Sequence, residues 1–210
     1  MRTVARTEAG DAHEGGIVMA DEQRDVIEVL SEDHREVEAM FTELETLMQT
    51  RSGSDDELRK DLADQITIEL VRHAVAEEVA VYPEVKRRVS EEEAERAKRE
   101  HAEAEKTMKA LEKLDSDDPS FEAEMRKLMG EIREHVAEEE GEMFPHMREI
   151  MTQDELVELG KRVEAIKAMA PTRPHPGVPN DPGKRLAVGP VAGLFDRLRD
   201  MATGRGTPEQ

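Results

Sequence analysis

The 210-residue sequence contains no cysteine and no tryptophan, and only one tyrosine and four phenylalanines. Without cysteine there can be no disulfides, thiolate zinc sites, iron–sulfur clusters, thioether-linked haem or cysteine nucleophiles. No apolar run approaches the ~20 residues of a membrane span. The first 20 residues hold Arg2 and Arg6 but no apolar stretch of the kind a signal peptide needs. Positive charge is also scarce: 30 Lys and Arg stand against 50 Asp and Glu, a net charge of −20. Such a chain repels nucleic acid and anionic lipid, so neither is an expected partner. A cytoplasmic location is the default expectation.

What the chain has in abundance is helix-forming residues: Ala, Glu, Leu, Arg, Met and Lys, with 38% of all residues charged. Strand formers never cluster, so the expected class is all-α. Residues 1–20 are small and polar and read as a disordered start, with Met19 an alternative first residue. Residues 21–170 read as the helical domain. Residues 171–210 read as a Pro-rich arm, running through Arg173-Pro174-His175-Pro176, followed by a short amphipathic helix at Val191, Leu194, Phe195, Leu198 and Met201.

Punctuation divides the domain into five helices. The first runs from about Asp25 to Gln49. The second opens on a Ser54/Glu57 capping box and runs to about Arg88. The third opens on Ser90/Glu93 and runs to about Leu114. The fourth starts at Asp118-Pro119 and ends near Ile150, and the fifth opens on Thr152/Glu155 and stops before Pro171. Short connections make neighbours antiparallel, which predicts an up-and-down four-helix bundle with a fifth helix appended.

Apolar positions recur every three or four residues on each bundle helix, and each stripe contains one histidine: His34, His73, His101 and His135. Glu77, Glu105 and Glu139 follow one turn after the last three, and Glu38 holds the same offset after His34. No Lys or Arg falls on these stripes around the histidines. A core with four imidazoles and several carboxylates needs compensating positive charge, because buried ions without partners cost several kcal/mol each. Metal ions supply it. Imidazole plus carboxylate without thiolate suits iron or manganese, and zinc less specifically.

The chain also repeats itself. Residues 70–85, LVRHAVAEEVAVYPEV, align with 132–147, IREHVAEEEGEMFPHM, so that His73, Glu77, Glu78, Tyr82 and Pro83 match His135, Glu139, Glu140, Phe144 and Pro145. Asp33-His34 with Glu38 corresponds to Glu100-His101 with Glu105. Two similar hairpins related by a pseudo-two-fold would place two half-sites side by side. The two prolines lie inside helical patterns and are expected to kink or loosen them. The Glu-x-x-His spacing of ferritin-like bundles is absent, since Ser31, Leu70, Lys98 and Ile132 stand three residues before the histidines.

On these residues the run from about 25 to 151 resembles the hemerythrin family in its bacterial HHE cation-binding form. The carriers are Asp33-His34-Arg35, His73-x-x-x-Glu77-Glu78 leading to Tyr82-Pro83, Glu100-His101, and His135-x-x-x-Glu139-Glu140 leading to Phe144-Pro145. The resemblance implies a non-haem centre of two iron ions with an oxo or hydroxo bridge. It implies ligation by His34, His73, His101 and His135, with Glu77 as one bridging carboxylate and Glu139 or Glu140 as the other. The oxygen carriers have His-x-x-x-His on the third helix where this chain has His101-x-x-x-Glu105. Glu105 therefore either replaces that ligand or leaves a position open. An anionic ligand favours ferric iron and redox chemistry over reversible oxygen carriage.

The expected small ligands are O2, H2O2 and nitric oxide. One reading is a redox protein, with catalase-like peroxide disproportionation as its concrete form. The other is a sensor or store of oxygen, nitric oxide or iron without turnover, in which the C-terminal helix contacts a protein partner. Glu38, Glu78 and whichever of Glu139 and Glu140 is not a ligand are candidates for moving protons. His13, His146 and His175 lie off the pattern and are not expected to ligate.

Overall fold

The computed structural model describes residues 24–50 and 55–174. Among them every regular element is helical: α1 (Val26–Thr50), α2 (Asp56–Ala76), α3 (Tyr82–Arg88), α4 (Glu91–Leu111), α5 (Phe121–Glu138), α6 (Phe144–Ile150) and α7 (Gln153–Met169). The second and fourth rods of the bundle are each two helices joined without a break by a π turn, Glu77–Val81 between α2 and α3 and Glu139–Met143 between α5 and α6. α1 packs on α2, α4 on both α3 and α5, and α7 lies against α1 and α2. This is the expected bundle with a fifth helix. None of these helices is long and apolar enough to cross a membrane.

The helix starts follow local chemistry. Asp25, buried, accepts the Ile27 and Glu28 amides on one carboxylate oxygen and the side chains of Arg148 and Gln153 on the other. One residue thus caps α1 and ties it to the α6–α7 corner. Ser90 accepts the Glu93 amide, and Thr152 with Glu155 forms a full capping box. The expected start of the fourth rod is corrected. Asp118 accepts the Ser120 amide on its side chain and the Phe121 amide on its carbonyl, which closes a turn. The helix therefore opens at Phe121, whose buried ring anchors it. Ser54, residues 1–20, His175 and the terminal amphipathic segment lie outside the described residues. The first residues of the Pro-rich arm do not lead away from the bundle: Pro171, Arg173 and Pro174 are buried, and Arg173 donates to Glu112 just beyond α4.

The prolines do not break their rods. Each lacks the N–H that would bond to the carbonyl four residues back, and each is preceded by a π turn in which an amide reaches five residues back: Tyr82 to Glu77 and Phe144 to Glu139. The extra residue per turn brings residue 82 back under residue 77, and 144 back under 139.

The apolar core falls into two clusters. One gathers Val37, Phe41, Leu44, Leu62, Ile66, Met108, Phe121, Met125 and Leu128; the other gathers Val26, Leu30, Val81, Val85, Ala94, Phe144, Met147 and Leu156. Along every rod the histidine lies between residues of the two clusters, so the polar residues form a layer across the bundle. The predicted stripes are buried throughout, with two exceptions: Ile150, half exposed at the end of α6, and Glu105, only partly buried.

At Gly160, α7 lies against the backbone at the start of α1. A Cβ there would meet the Arg24 carbonyl oxygen at 2.8 Å and the Val26 nitrogen at 3.0 Å, both rigid backbone. Gly160→Ala is expected to cost about 1–3 kcal/mol through overpacking. Gly130→Ala, in an exposed position on α5 with nothing within 4 Å, is expected to gain about 0.5–1 kcal/mol from helix propensity. Thermal melts of the two variants should move in opposite directions.

Candidate metal centre

His34, His73, His101 and His135 come from α1, α2, α4 and α5, and all four are buried. Their rings meet in pairs. The Nε2 atoms of His34 and His73 are 3.3 Å apart, and those of His101 and His135 are 3.1 Å apart. Glu77 and Glu139, almost fully buried at the first residue of each π turn, lie across the pairs. Glu77 Oε2 is 3.1 Å from His73 Nε2 and 3.4 Å from His101 Nε2. Glu139 Oε2 is 3.5 Å from His34 Nε2 and 3.4 Å from His135 Nε2. Ligand-capable atoms of His34, His73, Glu77 and Glu139 form one group within 4.8 Å, and those of Glu77, His101 and His135 form a second.

The outer nitrogens explain why the inner ones converge. His34 Nδ1 lies 2.8 Å from Glu140, His73 Nδ1 3.0 Å from Asp33, His101 Nδ1 3.3 Å from Glu78, and His135 Nδ1 2.9 Å from Glu100. An ionised carboxylate only accepts, so each Nδ1 carries the proton and donates it. In the neutral ring the lone pair is then on Nε2, aimed into the centre. Lone pairs opposed at 3.1–3.3 Å repel unless a proton or a metal ion lies between them. Two further features point the same way. Glu77 Oε1 is buried and accepts no hydrogen bond. The Tyr82 hydroxyl, fully buried, has one proton for three acceptors: Glu139 Oε1 at 2.9 Å, His101 Nε2 at 3.1 Å and Glu77 Oε2 at 3.2 Å. The centre is rich in donors and short of positive charge, which fits a metal cofactor.

In the metal-free protein protons take that place. Burial works against an imidazolium at His73, but the Glu77 carboxylate and the Asp33 hydrogen bond outweigh it and raise the pKa to about 10. Burial likewise opposes charge on His135, and Glu139 and Glu100 again reverse it, so its pKa too is raised. Burial would hold the Glu139 carboxyl neutral, but His135 and His34 draw it well below the ordinary range. The Tyr82 phenol is pushed up by burial and by Glu139 and Glu77. Asp33, despite burial, stays low through His73 and Lys167 of α7.

The metal ligands predicted from sequence separate into three placements. His34, His73, Glu77, His101, His135 and Glu139 come together in the two adjoining ligand groups. Glu140, 44% exposed, instead holds the outer nitrogen of His34. Glu105 stands outside both ligand groups and lines a small void of about 20 Å3 with Glu78, His101 and Met108. Glu38 pairs with Arg133 at the surface, and His146 is exposed against Glu93. Sequence reasoning named Tyr82 only as a repeat position beside Pro83 and gave its hydroxyl no role. The signal that finds its hydroxyl is the Pro at 83, which calls for the π turn that swings residue 82 inward.

The sequence model of the Hemerythrin HHE cation binding domain matches residues 25–147. The chain is 26% identical over 179 residues to an uncharacterized hemerythrin-like protein of Schizosaccharomyces pombe, an alignment covering 84% of this chain and 85% of that one. It is 25% identical over 141 residues to a DNA nickase of Nostoc sp., covering 67% of this chain and 38% of the nickase. A crystal structure of an HHE cation-binding domain-containing protein from Mycobacterium kansasii superposes with a TM-score of 0.60 at 23% identity, over 84% of this chain and 98% of that one, a likeness of fold.

The His73 imidazolium persists in the folded metal-free chain to about pH 10, but in the unfolded chain only below about 6.5. Its contribution to stability is therefore fully present below pH 6.5 and is lost as pH rises through 10. Chelator-treated protein should show a falling urea midpoint over that window. Metal-loaded protein should be destabilised on the acid side instead, where protons compete for the nitrogens. The same slope in both forms would contradict the assignment of the site.

Proposed function

The chain belongs to the hemerythrin HHE cation-binding domain family, and from that premise we propose that it is a di-iron protein that reacts with dioxygen or peroxide. The observation that carries the reading is the convergence of four Nε2 atoms and two bridging-type carboxylates, with every outer nitrogen tied to an acid. His34 and His73 with Glu77 and Glu139 would hold one ion. His101 and His135 would hold the other, with Glu77 shared. Hard oxygen and imidazole donors without thiolate favour iron, with manganese or zinc behind it. Two iron ions bound there would supply two-electron redox chemistry between the diferrous and diferric states, matching the halves of peroxide disproportionation, H2O2 + 2 H+ + 2 e− → 2 H2O and H2O2 → O2 + 2 H+ + 2 e−.

The protein residues prepare this chemistry in three ways. The Asp33, Glu78, Glu100 and Glu140 carboxylates fix each imidazole's tautomer and direction. The Tyr82 hydroxyl keeps a proton at the centre, donated to Glu139. Glu140, in contact with His34 and half exposed, is the acid best placed to exchange protons with solvent; Glu38 is committed to Arg133, and Glu78 to His101. The side toward Phe41 and Leu70 is apolar. Net charge −20 argues against extending the nickase relative's activity on DNA to this chain.

A second reading, a sensor without turnover, draws support from Lys167 of α7, which pairs with Asp33 and so links the appended helix to His73.

Loaded anaerobically with ferrous iron and then oxidised, the protein should hold two irons per chain and show a near-ultraviolet charge-transfer band. Glu77→Gln and His101→Ala should each lower bound iron to about one per chain or less and abolish oxygen evolution from peroxide. Sustained oxygen evolution separates enzyme from sensor. Fewer than about one iron per wild-type chain would end the proposal.

A further inference from the structure

The bundle does not close tightly beneath the histidine layer. A cavity of about 290 Å3 opens there, with His34, His73, His101 and His135 forming one end. Its walls are Val37, Phe41, Leu70, Ala104, Met108 and Ile132. It reaches the surface between α1 and α5, where Arg35, Glu38, Arg133 and Glu140 stand at the rim. Arg133 spans this opening: it donates to Glu38 and Glu45 across the gap and lies 5.7 Å from the centre of the Phe41 ring.

The size is more than the family chemistry requires. Peroxide or dioxygen needs little more room than a water molecule, whose share of the liquid is about 30 Å3, whereas an apolar protein cavity of about 150 Å3 admits benzene. A void left empty beside a well-packed core costs stability. The rim carries two cations and two carboxylates and the whole chain carries −20, so nothing there selects an organic anion. One end is polar and metal-competent; the remainder is apolar.

Resting on the di-iron reading, we propose that this cavity holds the apolar body of a neutral organic hydroperoxide, an alkyl or aryl group of about six to ten carbons, with its peroxy end at the imidazoles. The reaction it serves is ROOH + 2 H+ + 2 e− → ROH + H2O. The O–O bond breaks, both electrons come from the ferrous pair as each ion becomes ferric, and the alcohol and water leave. Phe41, Leu70 and Met108 select for the organic group. The Glu38–Arg133 pair has to part or tilt for entry.

The test uses full-length protein and 2-phenyl-2-propanol, the unreactive alcohol of cumene hydroperoxide. Calorimetric titration is run on iron-loaded and chelator-treated wild type, Ala104→Leu and Ala74→Leu, with folding and iron content measured on each. Ala74 on α2 and Ala104 on α4 both line the cavity, so both substitutions put bulk into it from different helices, and one informs if the other fails to fold. Saturable binding to the wild type in both metal states is expected, weakened at least tenfold by either substitution at unchanged iron content. Anaerobic ferrous protein should also convert one cumene hydroperoxide to the alcohol per two irons oxidised. Absence of probe binding, or binding indifferent to both substitutions, overturns the cavity assignment. Tighter binding of decanoate than of the alcohol overturns the choice of a neutral ligand. Probe binding by wild type that takes up less than one iron per chain on anaerobic ferrous loading overturns the hydroperoxide assignment by way of the metal reading, with the apolar cavity itself left standing.

Discussion

Four imidazole lone pairs directed at one another inside a protein are untenable without a cation, and the rest of this structure is arranged around that constraint. Each histidine has its outer nitrogen on a carboxylate, which fixes where the inner lone pair points. Two further carboxylates are buried between the rings. A layer of this kind costs far more to desolvate than surrounding apolar packing returns, unless positive charge arrives with it. In the metal-free state protons satisfy it: against the effect of burial, the neighbouring carboxylates raise the pKa values of His73 and His135, and the histidines keep Glu139 ionised. Metal ions satisfy it with better geometry, since each can accept several lone pairs at once. The division of the core into two apolar clusters follows, because the polar layer crosses every rod at its histidine.

The acids are shared crosswise, and this is what makes four helices one site. α1 supplies Asp33 to the histidine of α2, and α4 supplies Glu100 to that of α5. The rod containing α2 returns Glu78 to α4, and the rod containing α5 returns Glu140 to α1. No helix orients its own histidine. The pattern is closed under the pseudo-two-fold seen in the sequence repeat, and it is broken at one pair of positions. Tyr82 brings a hydroxyl to His101, while Phe144 stacks its ring on His34, 5.9 Å between centroids and nearly parallel. The two half-sites therefore differ in polarity, although their histidines and carboxylates correspond.

Much of this could be read in the sequence because helical periodicity is a strong signal. The four stripes, their histidines, Glu77 and Glu139 follow from spacing alone, and nearly every stripe residue is buried. What escaped did so for local reasons. Asp118-Pro119 looks like a helix start, but its side chain and carbonyl were drawn into a turn one step earlier. Glu105 has the same offset from His101, yet it is only partly buried and stands outside both ligand groups. The π turns that begin at Glu77 and Glu139 are a change of phase that α-helical spacing does not describe. The same change carries Tyr82 inward. The outer carboxylates were visible only as neighbours of histidines; that each serves a different helix is a fact of packing.

The appended helix belongs to this argument as well. Asp33 is the partner of His73 and is itself mostly buried, so its charge needs an answer beyond one imidazole. Lys167 of α7 gives it, and the carbonyl of the same residue accepts from Arg72, one position before His73. α7 can reach this point only because Gly160 lets it cross the start of α1 at backbone contact, and because Asp25 binds both α1 and the α6–α7 corner. A bundle of four helices would contain the same histidines, but the acid behind one of them would be short of a counter-charge. The fifth helix thus supports the centre from outside, and its placement is as much an electrostatic requirement as a matter of covering apolar surface.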